Sequence, residues 1–386
     1  MPPVGTVAPD PGRSEESLSL FEHARRLREQ HPDEPLPRDG HPFPDAVAHD
    51  RRSPRPPDSG LKGAAAADIL ARYFDEPSDD LTLLEGALHA VDVPIHHNDH
   101  IRAIAFRSDG DLVRHTGRRL VLEARDRCAA VIGLALLAVN PTDDDIDLIR
   151  TIGLLSERFA SLASEALLRL RHGHESLLWL AERSSGWGRF YYLEALCKGA
   201  FRHRDWLLRH SCDGDFLDGY FAGTVAVEAS LHEAIVRPDA DDELVDHTGM
   251  LLSTMAGAGG MGIDLAKYPP AAIVLGAYTG HLAKQEPSGA RARVALALGH
   301  ALRSREAVAV GCTEQERQNL LNGLDETLNL STWVTAAAEQ IDWAGEWGKW
   351  ARTAFELPPG LRVALEGSDH DGAAGQPVSG VHHIIG

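Results

Sequence analysis

The sequence predicts an all-α protein in which short helices pack against one another. Apolar residues recur at steps of three and four, and no stretch of comparable length alternates apolar and polar residues. Capping signals precede several of these stretches, and short segments of sequence repeat. A chain of 386 residues, 43% of them hydrophobic, can bury a substantial core. We therefore expect an ordered, helical protein.

Residues 1–60 are rich in proline and predict a disordered N-terminal arm. Eight prolines between His31 and Asp58 leave no room for a continuous helix. Before them, Glu15 to Gln30 has the spacing of one short helix, which would either fray or dock on the rest of the chain. Because such an arm buries little, we expect its removal to leave thermal stability nearly unchanged.

The remaining sequence divides into an N-terminal helical region (61–145), a region of helical repeats (146–366) and a disordered tail (367–386). The tail is assigned from its content of Gly, Ser, His and Asp. One apolar stripe opens the repeat region, and its steps of three and four place it on one helix or on two stacked helices: Ile149, Ile152, Leu155, Phe159, Leu162, Ala166 and Leu170.

Several helix boundaries can be assigned from capping residues. Thr142 is followed three residues later by Asp145, and Thr313 by Glu316, which is the spacing of a capping box at a helix start. Glycine after an apolar stripe favours a helix end. We place helix ends at three glycines: Gly186, Gly199 and Gly257.

Short segments of the repeat region resemble one another. The segment 154–158 (LLSER) is echoed 25 residues later by 179–183 (WLAER), and 165–167 (EAL) is echoed 29 residues later by 194–196 (EAL). Through these echoes the stretch from about 146 to 304 resembles bacterial HEAT-like repeat proteins. The resemblance implies an α/α superhelix (an α-solenoid) and, commonly, the binding of another macromolecule.

Charge and cysteine content restrict the class of partner. The chain carries 57 acidic and 38 basic side chains, a formal net charge of −19. This surplus of acidic side chains disfavours a nucleic-acid partner, since phosphates are bound by Lys and Arg, and favours a basic protein or peptide as partner.

Four cysteines without a C-x-x-C pair predict reduced thiols. With no apolar run long enough for a bilayer, we expect a cytoplasmic protein without a membrane partner.

The segment 96–100 (HHNDH) is the densest group of metal-ligand residue types in the sequence. Histidine and aspartate suit zinc or iron, and His96 and His100 would share a helix face. Asn98 or Asp99 is also a suitable N-cap for a helix beginning near Ile101. We prefer an exposed loop with a helix cap to a metal site.

Two other motifs are weaker indications of chemistry. The His-Glu dipeptides at 174–175 and 232–233 resemble the paired steps of HEAT-fold di-iron hydroxylases, a family that has four such steps where this chain has two. We interpret them as solvated helix residues. The glycine-rich segment 255–262 (MAGAGGMG) follows a helical pattern rather than a strand, so we interpret it as a turn between helices and not as a phosphate loop. We predict no metal and no cofactor.

Three tryptophans near the end of the repeat region are spaced four and three residues apart: Trp343, Trp347 and Trp350. This spacing places them on one helix face, either as a binding platform or as packing that closes the end of the core. The second interpretation is preferred.

The segment 213–223 (DGDFLDGYFAG) departs from a repetitive helical pattern, with three acids, three glycines and three aromatic residues. Because packing alone rarely requires this composition, we predict a partner-binding surface here. An irregular connection between repeats is the alternative. The candidate surface comprises six residues: Trp187, Arg189, Asp213, Asp215, Asp218 and Tyr220.

Three functional hypotheses remain open from the sequence. The leading one is a non-enzymatic scaffold or adaptor that binds a protein or peptide on an acidic α-solenoid surface. A second is a metal-dependent enzyme on a HEAT-like scaffold, with ligands drawn from four histidines: His96, His100, His174 and His232. The third, a HEAT-like DNA-repair or nucleic-acid-binding protein, is disfavoured by the net charge.

Overall fold

A computed structural model describes residues 18–50, 62–304 and 312–373, except for the side chains of 367–373. Every regular element in these ranges is a helix, and none is a strand. The prediction of an all-α protein is confirmed. The chain divides into two compact units, Met1–Gly199 and Ala200–Gly386. The boundary that we expected between residues 145 and 146 falls inside the first unit.

The first unit contains eleven α-helices in its described residues, together with short 3-10 turns at Pro37–Gly40 and Asp143–Asp145. The helices are α1 (Leu20–Gln30), α2 (Ala46–Asp50), α3 (Ala64–Asp75), α4 (Thr82–His89), α5 (Asp99–Arg107), α6 (Gly110–Glu123), α7 (Arg127–Leu137), α8 (Ile146–Gly153), α9 (Ser156–Leu167), α10 (Gly173–Glu182) and α11 (Gly186–Cys197).

Helices of the first unit pack as successive pairs. α6 packs on α7, α8 on α9, and α10 on α11. Within this series the first helices of neighbouring pairs contact each other, as do the second helices, so α8 touches α6 and α10 while α9 touches α7 and α11. The predicted apolar stripe runs along α8 and α9, where every member from Ile149 to Leu170 is buried. Of the two arrangements that the spacing allowed, one helix or two stacked helices, the structure shows two.

The N-terminal segment 18–50 is part of this core rather than a disordered arm. α1 packs on α6 and α8, and Leu20, Ala24 and Phe43 are buried. Prolines end the helix without preventing burial, because the irregular chain after α1 supplies its own apolar side chains. The expectation of a disordered arm is therefore wrong for 18–50, while 1–17 and 51–61 lie outside the described residues.

Two carboxylates fix this segment to distant helices. Asp39 accepts hydrogen bonds from the backbone N–H groups of Ser156 and Glu157, each at 2.8 Å, and so caps the N-terminus of α9. Asp45 forms a buried ion pair with Arg127 at the start of α7, with Arg127 Nη2 2.7 Å from Asp45 Oδ1. Arg127 also donates its backbone N–H to Asp45 Oδ2 at 2.8 Å. Asp39 and Asp45 therefore hold the N-terminal segment against the starts of α9 and α7.

The second unit contains ten α-helices in its described residues and 3-10 turns at Ala200–Arg202 and Leu265–Lys267. The helices are α12 (Arg204–His210), α13 (Asp218–Glu228), α14 (Leu231–Ile235), α15 (Asp242–Gly257), α16 (Ala271–Leu282), α17 (Gly289–Arg303), α18 (Glu314–Leu328), α19 (Ser331–Gln340), α20 (Glu346–Ala354) and α21 (Pro359–Ala373).

Alternate helices of the second unit also contact one another. α13, α15, α17, α19 and α21 form one series of contacts, and α14, α16 and α18 form another. α21 continues to Ala373, and 374–386 lie outside the described residues, so the disordered tail stays a prediction. None of the helices described in either unit is long and apolar enough to span a bilayer.

Most of the predicted helix boundaries are correct. The capping boxes at Thr142–Asp145 and Thr313–Glu316 are present, and Gly199 and Gly257 lie at or just after helix ends. Gly186 is an exception: it is the first residue of α11, at φ +56°, because α10 already ends at Glu182.

The glycine-rich segment after α15 is a turn, as predicted. Gly259 and Gly260 have φ values of +57° and +88°, which favour glycine. Gly262 packs so closely on α13 that an added Cβ would lie 2.6 Å from the carbonyl oxygen of Tyr220. The glycines therefore serve a sharp turn and a close contact between backbones.

Candidate functional site

The six predicted partner-binding residues are divided between the two compact units. Trp187 and Arg189 lie on α11 of the first unit, whereas Asp213, Asp215 and Asp218 lie in the second. Tyr220 lies with Asp218 on α13.

Trp187 belongs to an aromatic cluster on α11. Its ring centroid lies 5.4 Å from that of Phe190 and 6.4 Å from that of Tyr191, and 44% of its surface is exposed. Trp187 and Tyr191 line a cavity of about 350 Å³ together with His41 and Arg158. Burial and, to a smaller extent, the charge of Glu194 raise the pKa of Tyr191.

Arg189 has a structural contact, since its Nη1 donates to the carbonyl oxygen of Ala181 at 3.2 Å.

The carboxylates of the acidic loop before α13 accept hydrogen bonds from the loop itself. Asp218, which is 2% exposed, accepts from the backbone N–H groups of Asp213 (3.1 Å) and Gly214 (2.8 Å). Asp213 accepts from the N–H of Asp215 at 3.0 Å, and Asp215 from that of Leu217 at 2.8 Å. These bonds explain the presence of the three acids without invoking a binding partner, as the alternative interpretation of an irregular connection expects. Partner binding by these six residues stays a prediction.

The histidine-rich segment 96–100 caps a helix. The Asn98 side chain accepts from the backbone N–H groups of His100 (3.1 Å) and Ile101 (3.2 Å), which starts α5. His97 Nδ1 lies 3.0 Å from Glu165 Oε1, and burial together with Lys62 lowers the pKa of His96. Within the described ranges, no group of three or more His, Cys, Asp or Glu side chains is arranged to hold a metal ion.

The second unit contains an open cavity of about 730 Å³ along α17, here called the α17 groove. One face of α17 forms its floor, at steps of three and four residues: Ala290, Arg293, Val294, Ala297, His300, Ala301 and the following Ser304. At 1.5 Å per residue, the floor from Ala290 to Ser304 is about 21 Å long. α17 buries its opposite side, including Ala292, Ala295 and Leu302, so both sides of this helix are apolar.

Small side chains and aromatic rings form the two walls of the α17 groove. One wall is the face of α15 that carries Met250, Ser253, Thr254 and Gly257. The other wall is formed by Trp347 and Trp350 of α20 and by Phe355. Trp350 is 50% exposed, and its centroid lies 4.8 Å from that of Phe355 in an edge-to-face arrangement. An open apolar cavity with aromatic walls is typical of a binding site.

Two basic side chains, Arg293 and His300, are the titratable groups that line the α17 groove. Arg293 lies with its guanidinium carbon 4.7 Å from the centroid of Trp347, and it has no carboxylate within 4 Å in the part of the chain that the structure describes. His300 stacks on Phe355 at a centroid distance of 4.4 Å. In a chain with 57 acidic residues, the described residues that line this groove include no carboxylate.

The tryptophan prediction is correct in part. Trp347 and Trp350 share the groove-facing side of α20, but Trp343 precedes that helix, is 7% exposed, and donates its indole N–H to the carbonyl oxygen of Ala337 at 2.9 Å. Trp343 therefore packs in the core, while the other two form a wall of the α17 groove.

The α17 groove was not predicted from the sequence. A signal was present, because α17 (GARARVALALGHALR) carries small apolar residues on two sides rather than on one stripe. Neighbouring helices bury one side of α17, and the other side lies along the groove. Comparison with known proteins gives no relative: no protein-family model, no curated protein and no solved structure matches this chain.

Proposed function

We propose that the chain is a non-enzymatic adaptor that holds an amphipathic helix of a partner protein in the α17 groove. The observation that carries the proposal is an open cavity of about 730 Å³ along the α17 face from Ala290 to Ser304, a length of about 21 Å. A length of 21 Å corresponds to about 14 helical residues, or four turns.

The proposal includes a HEAT-like α-solenoid arrangement for the repeats of residues 146–366. Contacts between alternate helices support it, since α9 packs on α11 in the first unit and α15 on α17 in the second. In such arrays each pair buries its apolar face on the next pair, and partners commonly bind along exposed helix faces. The echoed segments 165–167 and 194–196 lie near the ends of α9 and α11, as neighbouring repeats require.

A helix is the occupant that the dimensions and lining of the α17 groove favour. Ala290, Ala297 and Gly257 present little side chain, so a partner helix could approach at the 8–10 Å interaxial distance of packed helices. The rings of Trp347 and Trp350 then supply large apolar contact area at one edge. Recognition of this kind depends on apolar anchors of the partner at positions i, i+3, i+4 and i+7.

The charge of the lining favours an acidic side chain at one end of the partner helix. Arg293 is exposed, is held on Trp347 and has no carboxylate within 4 Å in the described residues. Arg293 also lines the neighbouring cavity, together with Glu346 and Asp342. Asp342 accepts from the N–H of Gly345 at 2.9 Å and so holds the start of α20. We therefore propose a partner that is acidic near Arg293, whereas the net charge of −19 favours basic partners on the remaining surface.

A cytoplasmic location also belongs to the proposal. Cys128, Cys197 and Cys212 are buried and are not joined in disulfides, which suits a reducing compartment.

The proposal can be tested with helical peptides selected from a display library. Sixteen-residue sequences with a randomised apolar stripe are selected against the full chain, and the affinity of each selected peptide is measured by fluorescence anisotropy. We expect binding with a gain of peptide helicity, and loss of binding when the stripe is scrambled at constant composition. Equal affinity of scrambled peptides, or failure to select any, would contradict the proposal.

A charge exchange tests the role of Arg293. We expect wild type to prefer a Glu-bearing over a Lys-bearing version of the selected peptide by a few fold, because an exposed ion pair contributes about 0.2–1 kcal/mol. The Arg293→Glu variant should reverse this preference. A preference that is the same in both proteins would show that Arg293 does not face the peptide.

A further inference from the structure

Three arginines of the first unit converge on a single half-buried tryptophan. The guanidinium carbons of Arg150, Arg183 and Arg28 lie 4.1, 4.6 and 5.0 Å from the centroid of Trp179. They come from α8, from the end of α10 and from α1. A chain with a net charge of −19 thus places three cations around one ring.

Two of these arginines have protein partners that explain their position. Arg28 donates to Thr151 Oγ1 at 3.1 Å and pairs with Asp147 at 3.3 Å. Arg183 donates to the carbonyl oxygen of Pro32 and pairs with Asp33, both at 2.8 Å. These contacts join α1 and the chain after it to α8 and α10.

Arg150 has no such partner. It forms no ion pair or hydrogen bond with the described residues, and its Nε is buried without an acceptor there. Burial, and the nearby charges of Arg28 and Arg183, lower its pKa, while Asp147 raises it. The ring of Trp179 stabilises the cation from one direction, yet a buried N–H without an acceptor is costly in a folded protein. An acceptor from outside the chain would remove this cost.

We propose that Arg150, with Arg28 and Arg183 beside it, binds a single phosphoryl group. A phosphoryl dianion presents three oxygens to a planar guanidinium and accepts two hydrogen bonds from its fork. It would supply the acceptor that Arg150 Nε lacks. It would also displace Asp147 from Arg28 and Asp33 from Arg183, since both carboxylates carry a single charge and are 78% and 81% accessible.

The surroundings favour one compact phosphoryl group over a polyanion. Asp147, Asp33 and Glu182 border the arginines, so a nucleic acid backbone laid across this surface would meet carboxylates on either side. The net charge of −19 opposes a long polyanion further. A free phosphate and a phosphorylated side chain share the required chemistry.

Calorimetric titration of the full chain in a phosphate-free buffer tests the proposal, with inorganic phosphate and N-acetylphosphoserine methylamide as separate probes. We expect one equivalent to bind, and Arg150→Met to weaken binding at least tenfold without lowering the melting temperature. Arg158→Met, which removes a half-buried arginine of α9 in the same unit, should retain the affinity. Tighter binding of the phosphoserine derivative identifies a phosphorylated side chain as the source, and equal binding identifies free phosphate.

Three results would overturn the proposal: neither probe binds, Arg150→Met binds as tightly as wild type, or duplex DNA binds more tightly than both probes and loses that affinity in Arg150→Met. If Arg150→Met melts early, Arg150→Lys decides, because it keeps the charge and removes the fork. Unchanged phosphate affinity in Arg150→Lys would then contradict a site built on the guanidinium.

Discussion

Individual buried or half-buried carboxylates connect distant parts of the first unit. Asp39 caps α9, Asp45 pairs with Arg127, and Asp145 is fully buried between Arg114 and Arg118. Each accepts hydrogen bonds from at least one backbone N–H group as well as from side chains. A buried carboxylate with this many donors fixes the relative positions of the elements that supply them.

Asp145 gives the first unit a specific dependence on pH. Burial by itself would raise the pKa of Asp145, but the backbone N–H of Thr142 and the two arginines outweigh burial and hold the pKa below its ordinary value of 3.8. The carboxylate therefore contributes to the free energy of unfolding above pH 3.8, and this contribution is lost as the pH falls through the folded-state pKa.

We predict that Asp145→Asn lowers the free energy of unfolding by about 2 kcal/mol at pH 7, and that the difference from wild type shrinks as the pH falls below 3.8. Urea unfolding at a series of pH values measures both effects. The neighbouring exposed Asp144 supplies the control, since Asp144→Asn should change little at any pH. If the difference in free energy of unfolding between Asp145→Asn and wild type did not vary with pH, Asp145 would not be the ionised carboxylate that we describe.

Residue-level contacts could be predicted from the sequence only where the partners are close in the chain. Thr142 and Asp145 are three residues apart, so their capping box was predicted. Asp39 and Ser156 are separated by 117 residues, and Asp45 and Arg127 by 82. No local pattern marks such pairs, because their geometry exists only once the helices have packed.

At the scale of elements, α1 and the chain that follows it belong to the core. Proline content led to the expectation of a disordered arm, but proline excludes regular helix and not burial. Leu20 and Phe43 are 0% and 3% exposed, and the carbonyl oxygen of Gly40 lies 2.7 Å from His23 Nε2. The segment is held by side-chain contacts that a helical period does not reveal.

We predict that Leu20→Ala lowers the free energy of unfolding by about 2–5 kcal/mol, the usual cost of removing a buried leucine side chain. The matched control is Val47→Ala in the same segment: Val47 is 59% exposed, and its truncation should change stability by less than about 0.5 kcal/mol. Chemical denaturation of both variants measures the contrast. Equal, small effects would mean that segment 18–50 does not pack on the first unit.

The helices that form the α17 groove show the same limit of sequence reasoning. The Trp347 and Trp350 spacing predicted a shared face on α20, and the structure confirms it. The sequence could not assign that face to a cavity, since this depends on where α15 and α17 lie. Two apolar sides on α17 remain the local signal for such a site.

At the scale of the whole molecule, the all-α class could be predicted from hydrophobic period and capping alone. The division at Gly199 could not be, because the helical pattern continues through it and only the distribution of contacts separates the two units. The predicted partner surface joined residues from both units, since proximity in sequence was the only guide to proximity in space. The net charge describes the whole surface, whereas the residues described along the α17 groove include no acid.

Blocking the α17 groove tests the central claim most directly. Ala297 lies in the middle of the floor, so Ala297→Trp should fill the cavity with an indole. Ile273→Trp adds the same side chain at a position of α16 that is 61% exposed and outside the groove. We predict that Ala297→Trp raises the dissociation constant of the selected helical peptide at least tenfold, or about 1.4 kcal/mol, at an unchanged urea midpoint. Ile273→Trp should bind as wild type does, and equal affinity of Ala297→Trp and wild type would contradict binding in the groove.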